Sequence, residues 1–302
     1  MSFTYTHAWP IAATHHDVFR ALTDSAALTR WFAEGAGVEP WVGGVYRFWG
    51  RYTPGTPAQD AARQTVTRFE PDVALGFAWP IEEVDTTVTI VLAPSDNGAG
   101  TTLTLTHVVS GDLPMPRPRA FIDDHWRLAM GNLSAWLAGG TDILLPDYFD
   151  QHPALRLEVA IAATPTATFA ALIDPAQVNR WLGARDAVIE PHAGGRYELH
   201  WQYEIDGREV TGGPTHILEF ARDRLLVLDW PDWRGDASVP PQTLTFRLEP
   251  AGTGTAVTLV HAGFVRAADV SDYGPGWRQF LRKLKAEVEG DAAATALRPR
   301  AP

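Results

Sequence analysis

The sequence contains no cysteine. That absence excludes disulfides, thiolate metal sites and cysteine nucleophiles together, and it makes a reduced, cytoplasmic setting the expected one. No apolar run reaches membrane-spanning length. The first residues alternate (Phe3, Tyr5, His7, Trp9) where an export signal would place a basic stretch before an apolar one, so neither membrane insertion nor secretion is expected. Basic runs are missing as well. With 25 Lys and Arg against 36 Asp and Glu the formal net charge is −11, and nucleic acid is not expected as a partner, because phosphate binding needs concentrated positive charge.

Catalytic signatures are equally scarce. His15 and His16 are neighbours at a helix start and point in different directions, and no His-Glu-x-x-His pattern occurs, so no metal site is expected. No serine sits in a Gly-x-Ser-x-Gly elbow. Gly35-Ala36-Gly37 and Gly98-Ala99-Gly100 lack the Lys-Ser/Thr that would follow in a phosphate loop. No cofactor is expected.

What the chain does have is tryptophan, 12 in all, and their positions repeat. Trp31, Trp79 and Trp126 recur as Trp181, Trp230 and Trp277, at offsets of 150 to 151 residues. The surrounding words recur in the same order. Leu28-Thr29-Arg30-Trp31-Phe32 answers Val178-Asn179-Arg180-Trp181-Leu182, and Glu39-Pro40 with Gly43-Gly44-Val45-Tyr46 answers Glu190-Pro191 with Gly194-Gly195-Arg196-Tyr197. Trp79-Pro80 answers Trp230-Pro231, and the strand ending at His107 answers the one ending at His261. A period this long exceeds any solenoid repeat, so each unit should be a complete domain with its own core.

Each copy reads in one element order. Leu155, Leu157, Val159 and Ile161 alternate with polar residues as a half-buried strand. Thr164 caps a helix that has Pro165 at its first position, and Asp174-Pro175 starts a second short helix. After the Gly194-Gly195 turn, Tyr197, Leu199, Trp201, Tyr203 and Ile205 line one face of a strand. Further strands are expected around Leu225 to Trp230, Thr243 to Leu248 and Ala256 to His261. A closing helix follows with Trp277, Leu281, Leu284 and Val288 in one stripe, matched in the first copy by Trp126, Met130, Leu133 and Leu137. The fold class is therefore α+β, two tandem domains spanning 1–140 and 154–290. A linker at 141–153 and a loose tail at 291–302 complete the chain.

This order, carrying Arg-Trp-Phe, Pro-x-x-Gly-Gly-x-Tyr, Leu-x-Leu-x-His and a Trp in the last helix, resembles the AHSA1-like (activator of Hsp90 ATPase homologue 1-like) branch of the START/Bet v 1-like superfamily. The resemblance implies a helix-grip fold, a curved antiparallel sheet wrapped around the C-terminal helix with a hydrophobic cavity between them. It leaves function open, since the superfamily contains carriers, metabolite binders, cyclases and co-chaperone domains. The first copy departs more, with Arg47, Trp49, Gly50 and Arg51 in the strand after the Gly-Gly turn and a Pro/Gly stretch from Thr53 to Pro57, so the two cavities should differ.

The residues expected to line the cavities are Trp31, Tyr46, Trp79, His107, Trp126 and Met130 in the first copy. In the second they are Trp181, Tyr197, Trp201, Trp230, His261, Trp277 and Leu281. His107 and His261 close apolar strand faces, where a general base or a ligand-orienting hydrogen bonder would sit and where a structural histidine would sit equally well. The tyrosine hydroxyls could orient a ligand, and the tryptophans could line a pocket or simply pack helices onto the sheet. Arg30 and Arg180 could meet an anionic headgroup or end a helix in a salt bridge. Glu39 and Glu190 read as surface residues. The expected partner is a small hydrophobic or aromatic molecule, and binding is favoured over catalysis. The alternatives are a cyclase- or dehydratase-like reaction using the cavity His and Tyr, and a chaperone-linked adaptor, for which no partner is expected because an Hsp90 activator of this family carries a different N-terminal domain. Two fused copies could also pair with each other as a homodimer does.

Overall fold

The structure is a computed structural model that describes residues 2–95, 98, 100–141, 143–205 and 207–290. The tail expected at 291–302 lies outside the described residues. The chain forms two compact units. One comprises Met1–Gln151 together with Arg266–Asp272, and the other His152–Val265 together with the chain from Tyr273 onward.

In the first copy β1 (Phe3–Ile11) leads into α1 (His15–Thr23) and α2 (Ser25–Trp31). The strands β2 (Gly35–Val38), β3 (Tyr46–Trp49), β4 (Thr65–Glu70), β5 (Ala74–Ala78), β6 (Thr86–Pro94) and β7 (Thr101–Val109) follow, and α3 (Pro118–Leu137) closes the copy. Five strands form an antiparallel sheet in the order β1-β7-β6-β5-β4, so the first strand returns beside the last. The β2–β3 hairpin meets the β4 edge through a bridge between Val45 and Thr65.

The second copy repeats the plan with β8 (Ala154–Ile161), α4 (Pro165–Ile173) and α5 (Pro175–Leu182). Its strands are β9 (Val188–Ile189), β10 (Tyr197–Glu198), β11 (Trp201–Ile205), β12 (Arg208–Gly212), β13 (Ile217–Ala221), β14 (Leu225–Trp230), β15 (Gln242–Ala251) and β16 (Gly254–Ala262), and α6 (Tyr273–Glu289) ends the copy. Its sheet runs β13-β14-β15-β16-β8. Both copies even place a bulge at the same point, between Val66 and Arg68 and between Ile217 and Glu219.

The local rules behind these elements are visible. Thr14 and Thr164 accept the backbone N–H groups of Asp17 and Ala167, and Asp24 and Asp174 accept those of Ala27 and Gln177, so each of the four short helices starts on a side-chain cap. In the Glu-Pro-x-x-Gly-Gly word the first glycine has positive φ (+87° at Gly43, +82° at Gly194). The second passes so close to the glutamate carbonyl that an added Cβ would lie 2.6 Å (Gly44) or 2.1 Å (Gly195) from it. Glu39 and Glu190 are thus more than surface residues, for their carboxylates accept the backbone N–H of Val45 and Arg196 across that turn.

One expected element divides. The run from Tyr197 to Ile205 is broken at His200, which sits at φ +53° with its Nδ1 against the carbonyls of Arg185 and Asp186. β11 then pairs with β12 as a separate hairpin, Trp201 opposite Gly212, where the first copy has its Pro/Gly stretch. Among the described residues no helix is long and apolar enough to cross a membrane.

Candidate functional site

In each copy the closing helix lays its tryptophan against the histidine at the end of the last strand. In the first copy Trp126 Nε1 donates to His107 Nδ1 at 3.0 Å, and Trp79 stacks on the imidazole with ring centroids 5.5 Å apart. Indole nitrogen only donates, so His107 Nδ1 must accept and the ring proton sits on Nε2. Nε2–H then reaches Thr86 Oγ1 at 2.8 Å, and the Thr86 hydroxyl donates onward to the Trp79 carbonyl. The chain is closed at every atom. Burial, with a smaller contribution from His125, pushes the His107 pKa down to about 3, so the ring is neutral. It has no lone pair to offer a substrate proton while Trp126 holds Nδ1.

The second copy builds the same beginning and a different end. Trp277 Nε1 donates to His261 Nδ1 at 3.1 Å, which again leaves the proton on Nε2. The residue in the place of Thr86 is Gln242, directly opposite Trp230 in the β14–β15 register. His261 is 0% exposed and Gln242 4%. His261 Nε2 and Gln242 Oε1 have no hydrogen-bond partner among the described residues. Burial lowers the His261 pKa to about 3.

The remaining expected residues come together, though as packed core. Trp31 and Trp181 donate from Nε1 to the carbonyls of Ala21 and Ala171. Tyr46 and Tyr197, buried, donate to the carbonyls of Leu22 and Leu172, each at 2.8 Å, in the last turns of α1 and α4 where helix carbonyls lack partners. Burial raises both phenol pKa values. Met130 and Leu281 lie buried on the closing helices. Trp230 sends its Nε1 to Tyr273 Oη at 3.2 Å. Trp201, half-buried, stacks on Phe280 with centroids 5.8 Å apart. Arg180 pairs with Glu287 at 2.9 Å, the salt-bridged helix end, while Arg30 is exposed.

A cleft opens that takes in Trp31 but none of the other residues expected to line the first cavity. Its cavity volume is about 10 Å³, room for about one water molecule, and it lies against α3 in the first copy. Trp31, Phe32, Leu128 and Pro146 supply apolar wall, and Tyr52, His125 and Asn132 supply the polar atoms. His125 is 3% exposed and faces Trp126, Trp79 and Phe32 with ring centroids 5.1, 5.3 and 5.8 Å away. Its Nδ1 meets Tyr148 Oη at 3.0 Å, and its Nε2 has no partner among the described residues. Burial lowers its pKa to about 3. The stretch expected as a linker borders this cleft through Pro146: Asn132 grips Leu144 through both backbone groups, and Tyr148 N–H donates to the Arg51 carbonyl. His125 is matched by Gly276 in the second copy, so the only signal available in sequence was a mismatch between the repeats.

Comparison with known proteins fits this architecture. A family model described as activator of Hsp90 ATPase homolog 1-like protein matches residues 12–138 and 162–289. No curated protein matches the chain. Among solved structures, protein MLL2253 from Mesorhizobium loti is 23% identical, covering 46% of this chain and 98% of its own, with a TM-score of 0.37. The Aha1 dimer from Colwellia psychrerythraea is 18% identical over 47% of this chain and 99% of its own, with a TM-score of 0.37. DynU16, titled a putative protein in the dynemicin biosynthetic locus, is 17% identical over 96% of this chain and 98% of its own, with a TM-score of 0.38.

Proposed function

Since the chain belongs in both halves to the activator of Hsp90 ATPase homolog 1-like family, we propose that it is a tandem binding protein whose first copy takes a small, mainly apolar, ring-bearing molecule beside α3. One observation carries this reading: a buried imidazole nitrogen, His125 Nε2, has no partner among the described residues in a cleft walled mainly by aromatic and aliphatic side chains. Ligand sites combine apolar walls with few polar points. An unsatisfied buried polar atom costs about 1–3 kcal/mol, which a ligand atom bonded to it would return. The segment that carries Pro146 and Tyr148 is held by Asn132 and Arg51, and its displacement would enlarge the cleft for a ligand.

Catalysis at His107 or His261 has weaker support, because both Nδ1 atoms are occupied by tryptophan donors and both rings are neutral. No side chain described above favours a chaperone-linked adaptor. Native mass spectrometry of the full chain titrated with indole, which donates, acetophenone, which accepts, and naphthalene, which does neither, tests the reading. Saturable binding of one polar probe that weakens about tenfold in His125→Leu, at unchanged melting temperature, is expected. Binding of none of the three, or binding indifferent to His125→Leu, would defeat it.

A further inference from the structure

The cleft beside α3 is too small for the molecule it is read to take. It has room for about one water, so a ring can enter only if part of the wall moves. That wall comes from the end of α2, from α3, from Tyr52 in the loop after β3 and from Pro146. Pro146 stands in a stretch, 143–148, that forms no helix or strand and in which every residue is only half-buried.

The stretch is held on the first copy by polar contacts near its two ends. Toward one end Asn132 donates to the Leu144 carbonyl at 2.8 Å and accepts the Leu144 N–H at 2.9 Å. At the other, Tyr148 Oη meets His125 Nδ1 at 3.0 Å, Tyr148 N–H donates to the Arg51 carbonyl at 2.9 Å, and Asp147 pairs with Arg51 at 3.5 Å. Pro146, between them, has no N–H to add a further bond. Ile143 and Tyr148 add apolar contact with the core. Bonds that water can replace each shift an equilibrium by about tenfold, so a few of them hold the stretch without fixing it. His125 and Asn132 belong to this copy alone, for the second has Gly276 and Lys283 in their places.

We propose that residues 143–148 form a strap that closes the α3 cleft in the empty protein, fastened at Asn132 and His125, and that swings off as one piece to admit a ligand. In the closed form Tyr148 takes one nitrogen of His125, as a ligand would take the other. What enters rests on the reading of the cleft as a ligand site, and the motion rests on the strap's own contacts. A ligand that needs the open form binds more weakly by the fraction of molecules that are open, so the strap sets the apparent affinity of the first copy.

The chain has no cysteine, so one introduced thiol is a unique reporter. Ala129→Cys places it in the cleft wall, and Ala21→Cys, buried on α1, is the comparison. In the full chain without ligand, iodoacetamide should alkylate the first at least about tenfold faster than the second, since one needs only the strap to open and the other needs global unfolding. Low urea should barely change the first rate and raise the second steeply, because opening a short segment exposes little surface. Adding Asn132→Ala or Tyr148→Phe should speed alkylation in the cleft by about tenfold. Hydrogen exchange of the chain without a thiol keeps the test alive if Ala129→Cys misfolds. Asn132→Ala should speed exchange at the Tyr148 amide, and Tyr148→Phe at the Leu144 amide, each at the far end of the strap from the change. Equal rates or equal urea dependence at the two thiols, or strap amides indifferent to the distant variant, would each overturn the strap. No ligand enters these measurements, so an opening strap in a chain that binds none of the three probes above would uphold the strap and defeat the ligand reading alone.

Discussion

Thr86 shows how much one hydroxyl can decide. It accepts the proton that the Trp126 donor has placed on His107 Nε2, and its own proton goes to the Trp79 carbonyl, so a buried ring in an aromatic core carries no orphaned atom. Thr86→Val keeps the shape and removes the acceptor. We expect a loss of about 1–3 kcal/mol, the cost of leaving the imidazole donor unmet, read as a lower denaturant midpoint for the first copy. The histidines also set a response to acid. His107, His125 and His261 each titrate near 3 when folded against an ordinary 6.5, so the unfolded chain binds more protons throughout that window. Their contribution is complete above about pH 6.5 and drains as pH falls toward 3, by roughly 2 kcal/mol per imidazole at pH 5. Denaturant titrations at pH 7 and pH 5 check this, and equal midpoints would contradict it.

At the level of elements, the Gly-Gly-x-Tyr word joins a turn to a helix end. The glycines let the turn close over the glutamate carbonyl, and the tyrosine three positions after the first glycine reaches a carbonyl of α1 or α4. Tyr46→Phe and Tyr197→Phe keep the ring and lose that bond, so each should cost about 1 kcal/mol, and by the same amount in the two copies. Separate unfolding of the copies, followed by hydrogen exchange in α1 and α4, measures the pair. The elements themselves were legible because their signals are local: a cap before a helix, glycines at a turn, a stripe on α3 and α6. The break at His200 was not, since it depends on backbone carbonyls 14 and 15 residues away. The site was less legible for a related reason. Apolar patterning says that Trp31, Trp79 and Trp126 point inward, but it does not say whether they surround a space or fill it. His125 carries no motif, and only the contrast with Gly276 could have marked it.

The chain as a whole has one feature that no repeat comparison reveals. Arg266–Asp272, which reads as an ordinary connection between the last strand and last helix of the second copy, is part of the first compact unit. Ala268 is fully buried in the same core cluster as Trp126 and Leu133, and Arg266 donates to the Pro116 carbonyl at 2.9 Å, stands 5.4 Å over the Phe121 ring and pairs with Asp124. Asp272 meets Arg127 of α3. The first copy's core is therefore completed by residues encoded more than a hundred positions after its own last helix. Ala268→Leu adds three carbons to a closed core and should cost about 1–3 kcal/mol through overpacking. Because the substitution lies in the second half of the sequence, the place where it registers is the discriminating observation. Hydrogen exchange should lose protection in peptides from α3, within 118–137, before β14 to β16 are affected. Loss confined to the second copy would mean that the segment contributes nothing to the core it enters.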